Sequence, residues 1–372
     1  MEILVDREIP GAASVFADFG RARLFEGRSL AAADLGDAEV LLVRSVTRVD
    51  GGLLAGSRVR FVGTATAGVD HVDTAWLAAQ GIAFSAAAGC NARAVAEHVL
   101  CCVYAWAARR RADARELSLG IIGCGHVGGE LHALASALGI AVRANDPPLG
   151  GRAGAIELVD LDAVLGCDVV SLHVPFTGDG AHPTRDLVDA RRVAALRPGT
   201  LVINAARGGV LNEAALVARL VDGELGAALD CWAGEPALAP VALAASTWAT
   251  PHIAGHSREA RARASLLLHR ALARWLERDC APPAELALAP AARLEVDRGG
   301  IVALLARIHP LAAHTARLRA LGALAPAQRA ALFDAQRRHY GLRREFGAYT
   351  VACPGADADT VAQLVALGFK TA

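Results

Sequence analysis

Short apolar runs alternate with turns and helical spacings in the first part of the chain. Runs of this kind are typical of a parallel sheet that is covered by helices on both faces. The predicted strands are Ile3 to Val5, Val40 to Val43, Phe61 to Gly63 and Ile82 to Phe84. We therefore predict that the chain begins with an α/β domain.

A second set of apolar runs follows a long helical pattern. From Asn91 the apolar residues Val95, Val99 and Val103 have helical spacing, which predicts a helix between two α/β domains. A second amphipathic pattern, Ala260 to Leu276, predicts a helix that returns to the first domain. Strands of a second sheet are predicted at Leu119 to Ile122, Ile140 to Ala144, Val169 to Val174, Thr200 to Asn204 and Gly226 to Leu229, closed by Thr250 to His252.

The C-terminal part of the chain differs in character. Asp279 to Pro290 is rich in proline and alanine, which indicates a linker. Residues 300–338 are strongly helical in pattern, and Glu345 to Val351 and a helix over Asp357 to Leu367 complete a small α+β module. The predicted fold class is α/β, with two doubly wound parallel-sheet domains, Rossmann-like or flavodoxin-like, and this module.

A glycine-rich turn joins the run at Leu119 to a helix predicted over Glu130 to Leu138. Its glycines, Gly123, Gly125 and Gly128, allow a tight turn, a close approach of a pyrophosphate to the backbone, and packing of the helix on its strand. The free N–H groups of the helix N-terminus would receive the negative charge. Asp146 lies about 20 residues further on, where an acidic side chain accepts hydrogen bonds from the ribose hydroxyls. We predict a dinucleotide site that favours NAD over NADP.

Composition excludes several classes of protein. The formal net charge is +0, so no basic surplus indicates nucleic-acid binding. No apolar stretch is long enough to span a bilayer, and the acidic start lacks the basic region of a signal peptide, so we expect a soluble, cytoplasmic protein. The 8 cysteines show no metal-binding spacing, so we expect reduced thiols and no metal. Lys370 is the only lysine, which excludes Schiff-base catalysis and a Walker-type loop.

Three polar side chains lie just beyond predicted strands, where open α/β sheets bind ligands. They are Arg207, Glu235 and His252. Oxidation of a 2-hydroxy acid needs a base for the hydroxyl proton, a cation for the carboxylate and a hydride acceptor, and His252, Arg207 and NAD fill these roles. Glu235 beside the imidazole would stabilise its charged form.

Five stretches together resemble a known family: Asn91 to Leu100, Gly123 to Gly128, Asn204 to Glu213, Ala228 to Pro236 and Pro251 to His252. The chain resembles the D-isomer-specific 2-hydroxyacid dehydrogenases over roughly residues 1–285. The resemblance implies a split substrate-binding domain of residues 1–93 and 257–285, with an NAD-binding Rossmann domain of residues 94–256 inserted into it. It also implies that Arg207, Glu235 and His252 are the catalytic set.

Leu42 to Thr47 and Phe61 to His71 are most similar to members of that family whose substrate is a phosphorylated 2-hydroxy acid. Ser45 and Thr66 would contact the substrate, and Arg44 would either bind its phosphate or form a structural ion pair. His256 replaces a frequent tyrosine and can still donate a hydrogen bond to a phosphate. Cofactor contacts implied by the resemblance, besides the glycines, are His126, Val127, Asp146, Val174, Ala205, Ala206, Asp230 and Gly255.

The C-terminal region resembles a dimerisation domain of the same enzymes, at Phe333-Asp334, Arg343 to Phe346 and Leu367 to Phe369. Residues 286–372 are therefore expected to build a homodimer. Arg343 or Arg344 would either reach the substrate phosphate of the partner subunit or form a salt bridge within the chain.

Two alternatives remain open at this point. The chain could be a dehydrogenase for another D-2-hydroxy acid, such as 3-phosphoglycerate, which the resemblance of the C-terminal module disfavours. It could also be a non-catalytic, NAD-sensing corepressor, because this fold serves as a ligand-gated interaction module as well. The intact arginine, glutamate and histidine set disfavours the second alternative.

Overall fold

In both large sheets the strands pair in parallel, as the buried apolar runs predict. The computed structural model describes residues 1–150, 156–281, 284–296 and 300–372. Unit 1 contains Met1–Asn91 and Ser257–Ala289, and unit 2 contains Ala92–His256 and Pro290–Ala372. The predicted division into three domains stays a prediction. Residues 282–283 of the predicted linker lie outside the described residues.

Unit 1 is built on a five-stranded sheet in the order β2-β1-β3-β4-β5, the flavodoxin-like order. Its strands are β1 (Glu2–Asp6), β2 (Arg21–Phe25), β3 (Val40–Val43), β4 (Phe61–Thr64) and β5 (Ala83–Ala86). Its helices are α1 (Gly51–Leu54), α2 (Thr74–Ala79) and α9 (Arg258–Trp275). Strand β2 was not predicted, because it lies at the sheet edge and alternates arginines with apolar residues, so no buried run marks it.

Side chains of the unit 1 strands alternate between two cores. Ile3, Val5 and Leu42 pack with Leu268 and Leu272 of α9 on one face. On the other face Leu4, Leu41 and Val62 pack against Leu53, Leu54 and Leu77 of α1 and α2. This period of two places helices on both sides of the sheet.

Unit 2 contains a six-stranded sheet in the order β11-β10-β9-β8-β6-β7. Its strands are β6 (Ser118–Ile122), β7 (Ala141–Asn145), β8 (Val169–Leu172), β9 (Leu201–Asn204), β10 (Gly226–Leu229) and β11 (Trp248–Ala249). Its helices before residue 256 are α3 (Ala92–Arg109), α4 (His126–Ala137), α5 (Leu161–Leu165), α6 (Ala190–Ala195), α7 (Glu213–Val221) and α8 (Pro240–Ala245). The strand order reverses between β6 and β8, the position at which such sheets bind ligands.

Helix α4 begins at His126 rather than at the predicted Glu130. The prediction was wrong because the low helix propensity of glycine indicates a turn at Gly128 and Gly129. In the structure both glycines lie in the first turn of the helix, directly after the Gly125 cap.

The C-terminal segment of unit 2 shares its hydrophobic cores. It contains β12 (Leu294–Glu295), α10 (Gly300–Ile308), α11 (Leu311–Arg319), α12 (Pro326–Arg338), β13 (Thr350–Ala352), α13 (Ala358–Leu367) and β14 (Lys370–Thr371). Leu304, Phe346 and Leu367 pack into the core around α3 and α4, while Leu318 and Phe333 join the core on the opposite face of the sheet. Among the described residues no helix is both long and apolar enough to cross a membrane.

Candidate active site

Three loops of unit 2 meet at the carboxyl ends of the neighbouring strands β9, β10 and β11, and they carry Arg207, Glu235 and His252. They line a pocket of about 330 Å³ together with Trp232 and the glycines at 208, 209 and 234. A Cβ at Gly208 would lie 2.0 Å from the carbonyl oxygen of Trp232, so only glycine allows these two loops to approach. The structure thus brings together the three predicted catalytic residues.

Glu235 and His252 are in direct contact. Nδ1 of His252 lies 2.8 Å from Oε2 of Glu235. The other carboxylate oxygen of Glu235 accepts a hydrogen bond of 2.8 Å from the amide of Trp232, which fixes the carboxylate. With its Nδ1 engaged by Glu235, the imidazole presents Nε2 as its second nitrogen.

His252 has a φ of 57°, in the left-handed region that residues with a Cβ rarely adopt. Such a conformation persists only where the surroundings hold it. Asp230 supplies part of this support, because its carboxylate accepts hydrogen bonds from the amides of Ile253 at 2.7 Å and Ala254 at 2.9 Å. The Thr250 hydroxyl donates a third bond of 2.6 Å to it.

Asp230 is 1% exposed, yet its pKa is lowered. Burial acts to raise the pKa, but the electrostatic interaction with His98 and His252 and these hydrogen bonds outweigh it. The carboxylate is therefore ionised, and its visible role is to hold the loop of His252. Its predicted contact with the cofactor stays a prediction.

Arg207 is positioned by its own loop. Its Nη1 donates a hydrogen bond of 2.7 Å to the carbonyl oxygen of Ala206, and Asn204 donates one of 3.0 Å to the carbonyl of Arg207. Asn204 is the last residue of β9, so the end of the strand sets the course of the loop. The guanidinium lines the pocket that also contains His252.

The turn between β6 and α4 fits a dinucleotide. A Cβ at Gly128 would lie 1.9 Å from the carbonyl oxygen of Gly123, so the helix can start there only with glycine. A Cβ at Gly125 would have no heavy atom within 4 Å, which leaves that backbone open to a ligand. No side chain caps α4, and its first turn has no acidic residue, so the amides of His126 and Val127 suit a diphosphate.

Asp146 follows β7 at the same edge of the sheet. Its Oδ2 accepts a hydrogen bond of 2.7 Å from the amide of Cys124, which holds the carboxylate beside the glycine turn. Val174 lies against this turn, because a Cβ at Gly123 would be 2.8 Å from its Cγ1. The other predicted cofactor contacts in the loops after β9 and β11 are Ala205, Ala206 and Gly255.

In unit 1 the predicted substrate residues follow two neighbouring strands. Arg44 and Ser45 come after β3, and Thr66 comes after β4. Nε of Arg44 lies 3.0 Å from Oδ2 of the buried Asp6, which is an ion pair, and the binding of the substrate phosphate by Arg44 stays a prediction. The Thr66 hydroxyl donates a hydrogen bond of 2.8 Å to the carbonyl of Gly68.

A further cation at this end of unit 1 was missed from the sequence. Arg261 of α9 donates a hydrogen bond of 2.6 Å to the carbonyl of Glu8. Burial lowers its pKa, and repulsion by Arg44 acts in the same direction. The arginines of the predicted helix gave no signal that distinguished Arg261, because several follow one another along it.

Comparison with known proteins identifies the family. Residues 93–254 match the model of the D-isomer specific 2-hydroxyacid dehydrogenase, NAD binding domain. The erythronate-4-phosphate dehydrogenase of Pseudomonas aeruginosa is 44% identical, over 95% of this chain and 96% of its own. That of Marinobacter nauticus is 42% identical, over 100% of this chain and 99% of its own. The chain belongs to the erythronate-4-phosphate dehydrogenase family.

The resemblance to 2-hydroxyacid dehydrogenases and the prediction of NAD as cofactor are thereby confirmed. Among solved structures, a D-lactate dehydrogenase from Aquifex aeolicus, complexed with NAD and lactic acid, superimposes with a TM-score of 0.61. It is 21% identical and covers 74% of this chain and 96% of its own, so it supports the fold alone.

In this member of the erythronate-4-phosphate dehydrogenase family, Arg343 is not directed to a partner subunit. It is 6% exposed, and its guanidinium donates hydrogen bonds to the carbonyls of Ala94, Ala254 and His256 of the same chain. The predicted contact of Arg343 with a partner's substrate was therefore wrong, because the buried guanidinium is hydrogen-bonded to backbone carbonyls of its own chain. For Arg344 the same role stays a prediction, as does the substrate contact of His256, whose ring lies 6.3 Å from that of Tyr340.

The donor atoms of Cys231, Glu235 and His252 lie within 4.8 Å of one another. Burial raises the pKa of the Cys231 thiol well above its usual value, and Sγ lies 3.3 Å from the carbonyl oxygen of Ala206. A protonated thiol is a poor metal ligand. We assign no metal to this group, and the absence of a metal stays a prediction.

Proposed function

We propose that this chain oxidises 4-phospho-D-erythronate to (R)-3-hydroxy-2-oxo-4-phosphobutanoate with NAD, a step in pyridoxal 5′-phosphate biosynthesis. The contact of 2.8 Å between His252 and Glu235, beside Arg207 in one pocket, carries the assignment of the chemistry. The assignment of the substrate rests on curated relatives of that name, such as that of Teredinibacter turnerae, 39% identical over the whole chain.

The pocket residues divide the chemistry between them. Arg207 binds the carboxylate of the substrate and stabilises the carbonyl oxygen that develops at C2. His252 accepts the proton of the C2 hydroxyl on Nε2, while Nδ1–H donates to Glu235, which stabilises the imidazolium that forms. The glycine turn and Asp146 would hold NAD, which would supply the acceptor for the hydride of C2, while His252 holds the hydroxyl proton on Nε2.

The substrate phosphate is assigned to unit 1. Ser45, the amides of Thr66 to Gly68, and the cations Arg44 and Arg261 follow or flank the carboxyl ends of its strands. Hydroxyls, turn amides and guanidinium groups are the donors that phosphate groups prefer.

A turnover assay with purified protein tests the proposal. NAD is offered with 4-phosphoerythronate, 3-phosphoglycerate or D-lactate, and NADH formation is followed by absorbance. We expect kcat/KM to be highest for 4-phosphoerythronate by at least about tenfold, because a misfitted phosphate or hydroxyl leaves polar groups unpaired. A preference for 3-phosphoglycerate would show that the chain is instead a 3-phosphoglycerate dehydrogenase. NAD binding without turnover would favour the corepressor alternative.

The homodimer and the cytoplasmic location are proposed as well. The C-terminal segment exposes the apolar side chains Val302 and Val365, at 36% and 56%. Deleting the segment would open the core that it shares with α3, so surface variants are the better test. We expect a dimer mass by light scattering, reduced to the monomer in Val302→Asp with Val365→Asp. Val221→Asp on α7, where the valine is 65% exposed, is the control, and an unchanged dimer in the double variant would count against this surface.

A further inference from the structure

The loop of His252 is held by hydrogen bonds from two directions. Asp230 accepts from the amides of Ile253 and Ala254, at 2.7 and 2.9 Å. Arg343 donates to the carbonyls of Ala254 and His256, at 3.0 and 3.2 Å. The carboxylate of Asp230 therefore accepts hydrogen bonds from N–H groups of this loop, and the guanidinium of Arg343 donates hydrogen bonds to its C=O groups. Arg343 comes from the C-terminal segment, which the mechanism does not otherwise use.

Arg343 is itself fixed in place. Its Nη2 also donates to the carbonyl of Ala94, in the first turn of α3. The buried carboxylate of Glu97, one turn further along α3, interacts electrostatically with Arg343. Glu97 also accepts from the amide of Phe346 at 2.9 Å and from Nε of Arg93 at 2.8 Å. Helix α3 and the segment around Phe346 thus define where the guanidinium lies.

The backbone conformation of His252 is strained and persists only if neighbouring groups hold it. His252 has a φ of 57°, and its Nδ1 must lie within hydrogen-bond distance of Glu235. Asp230 and Arg343 form their hydrogen bonds with residues 253–256, which follow His252 in the chain. If the carbonyls of Ala254 and His256 lost their donor, the loop would gain other backbone conformations, and the imidazole would be displaced from Glu235 in part of the molecules.

We propose that Arg343 is a positioning residue: through the carbonyls of Ala254 and His256 it holds the loop in the conformation that places His252 against Glu235. This inference rests on the catalytic role proposed for His252. It gives the C-terminal segment a function in the active site of its own chain, separate from any contact between subunits.

A simpler alternative is that Arg343 only attaches the C-terminal segment. Arg329 of α12 provides a matched control for this alternative. It is also 6% exposed, and it also donates to main-chain carbonyls, those of Gly322 and Leu324 at 3.4 and 3.3 Å. Both acceptors lie within the C-terminal segment, away from the loop of His252. Arg329→Met therefore removes a comparable buried guanidinium without touching that loop.

The full-length variants Arg343→Met and Arg329→Met are compared by hydrogen exchange and by kinetics. In Arg343→Met we expect the amides of Ile253 and Ala254 to exchange at least about tenfold faster, with kcat reduced about 10- to 100-fold. In Arg329→Met the exchange of this loop and kcat stay within about twofold of the parent. Arg343→Lys, which keeps one donor, should lie between the parent and Arg343→Met.

The outcomes are distinguishable. Equal effects of Arg343→Met and Arg329→Met on exchange and kcat would overturn the positioning role in favour of simple attachment. If Arg343→Met does not fold, Arg343→Lys and Arg329→Lys carry the same comparison. His252→Asn tests the underlying function: if it retains turnover, the proposed chemistry fails whatever Arg343 does. If His252→Asn is inactive but Arg343→Met keeps the kcat of the parent, only the positioning role fails.

Discussion

Nδ1 of His98 lies 2.8 Å from Nε2 of His309 in a buried contact between α3 and the residue that follows α10. The ring of His314 continues this cluster, 5.5 Å from that of His309. Burial lowers the pKa of His98 to about 4 and that of His314 to about 4, and the nearby cation Arg343 acts in the same direction. The cluster therefore joins α3 to the C-terminal segment in its neutral form.

This contact predicts a loss of stability in acid. A histidine with an unfolded pKa of about 6.5 and a folded pKa of about 4 contributes stability that is fully present above pH 6.5 and lost as the pH falls towards 4. We expect the parent to lose about 2 kcal/mol more than His98→Asn between pH 7 and 5. The asparagine amide takes the place of Nδ1 and does not titrate. Urea unfolding at both pH values measures the difference.

The control for this prediction is His182→Asn, which replaces an exposed histidine and should keep the pH dependence of the parent. If His98→Asn also keeps it, the acid sensitivity does not arise from this cluster.

Glu97 predicts a pH dependence of the free energy of unfolding that is opposite in sign to that of His98. Burial raises its pKa to about 7, and Glu345 acts in the same direction, although Arg343 and Arg93 favour the carboxylate. The fold then holds a proton that the unfolded chain releases near its usual pKa, so this stabilisation is present in acid and lost as the pH rises through about 7. In Glu97→Gln the stability should decline less between pH 5 and 7.5, by a difference on the order of 2 kcal/mol. Urea unfolding measures it, and a steeper decline in the variant would contradict the raised pKa.

Asp146 predicts the choice of cofactor. Its carboxylate is held beside the glycine turn by the Cys124 amide, so the ribose hydroxyls would meet an acceptor and a 2′-phosphate would meet a negative charge. We expect Asp146→Ala to reduce the ratio of kcat/KM for NAD over NADP by roughly tenfold, the value of a charged hydrogen bond. Asp222→Ala, at the C-terminal end of α7 and the opposite edge of the sheet, is the control. An unchanged ratio in Asp146→Ala would refute the ribose assignment.

Glu235 predicts the rate of turnover. In Glu235→Gln the imidazole of His252 loses the carboxylate that lies 2.8 Å from its Nδ1 and is less well oriented, so we expect the maximal oxidation rate to fall about 100-fold. The rate of reduction of the 2-oxo acid should fall as well, because the same contact orients the ring in both directions of the reaction. Steady-state rates in both directions test this.

A matched control for Glu235 is Glu213→Gln. Glu213 accepts a hydrogen bond of 2.8 Å from the amide of Ala233, in the loop that carries Glu235, whereas the contact with His252 is made by Glu235 itself. Glu213→Gln should therefore lower the rate by less than about tenfold. If Glu235→Gln lowers the rate no further than Glu213→Gln, the contact between Glu235 and His252 does not contribute to catalysis.

The accuracy of the sequence predictions followed the strength of the local signal. Val40 to Val43 and Gly226 to Leu229 were predicted with the bounds that the structure has, because strands buried on both faces give uninterrupted apolar runs. The edge strand β2 gave no such run and was missed. The start of helix α4 was predicted four residues too late, because the close approach of Gly128 to Gly123 outweighs the low helix propensity of glycine.

The dinucleotide turn and the three pocket residues could be predicted from the sequence, because each of these features lies within a few residues of a strand end whose direction the buried runs already define. The contacts that support the site depend on the tertiary fold. Arg343 is 249 residues from Ala94, and Asp230 reaches Ile253 and Ala254 across two neighbouring strand ends. Contacts of this kind are made by backbone carbonyls and amides, which every residue except proline possesses, so no pattern of side chains along the chain can predict which guanidinium or carboxylate will bond to them.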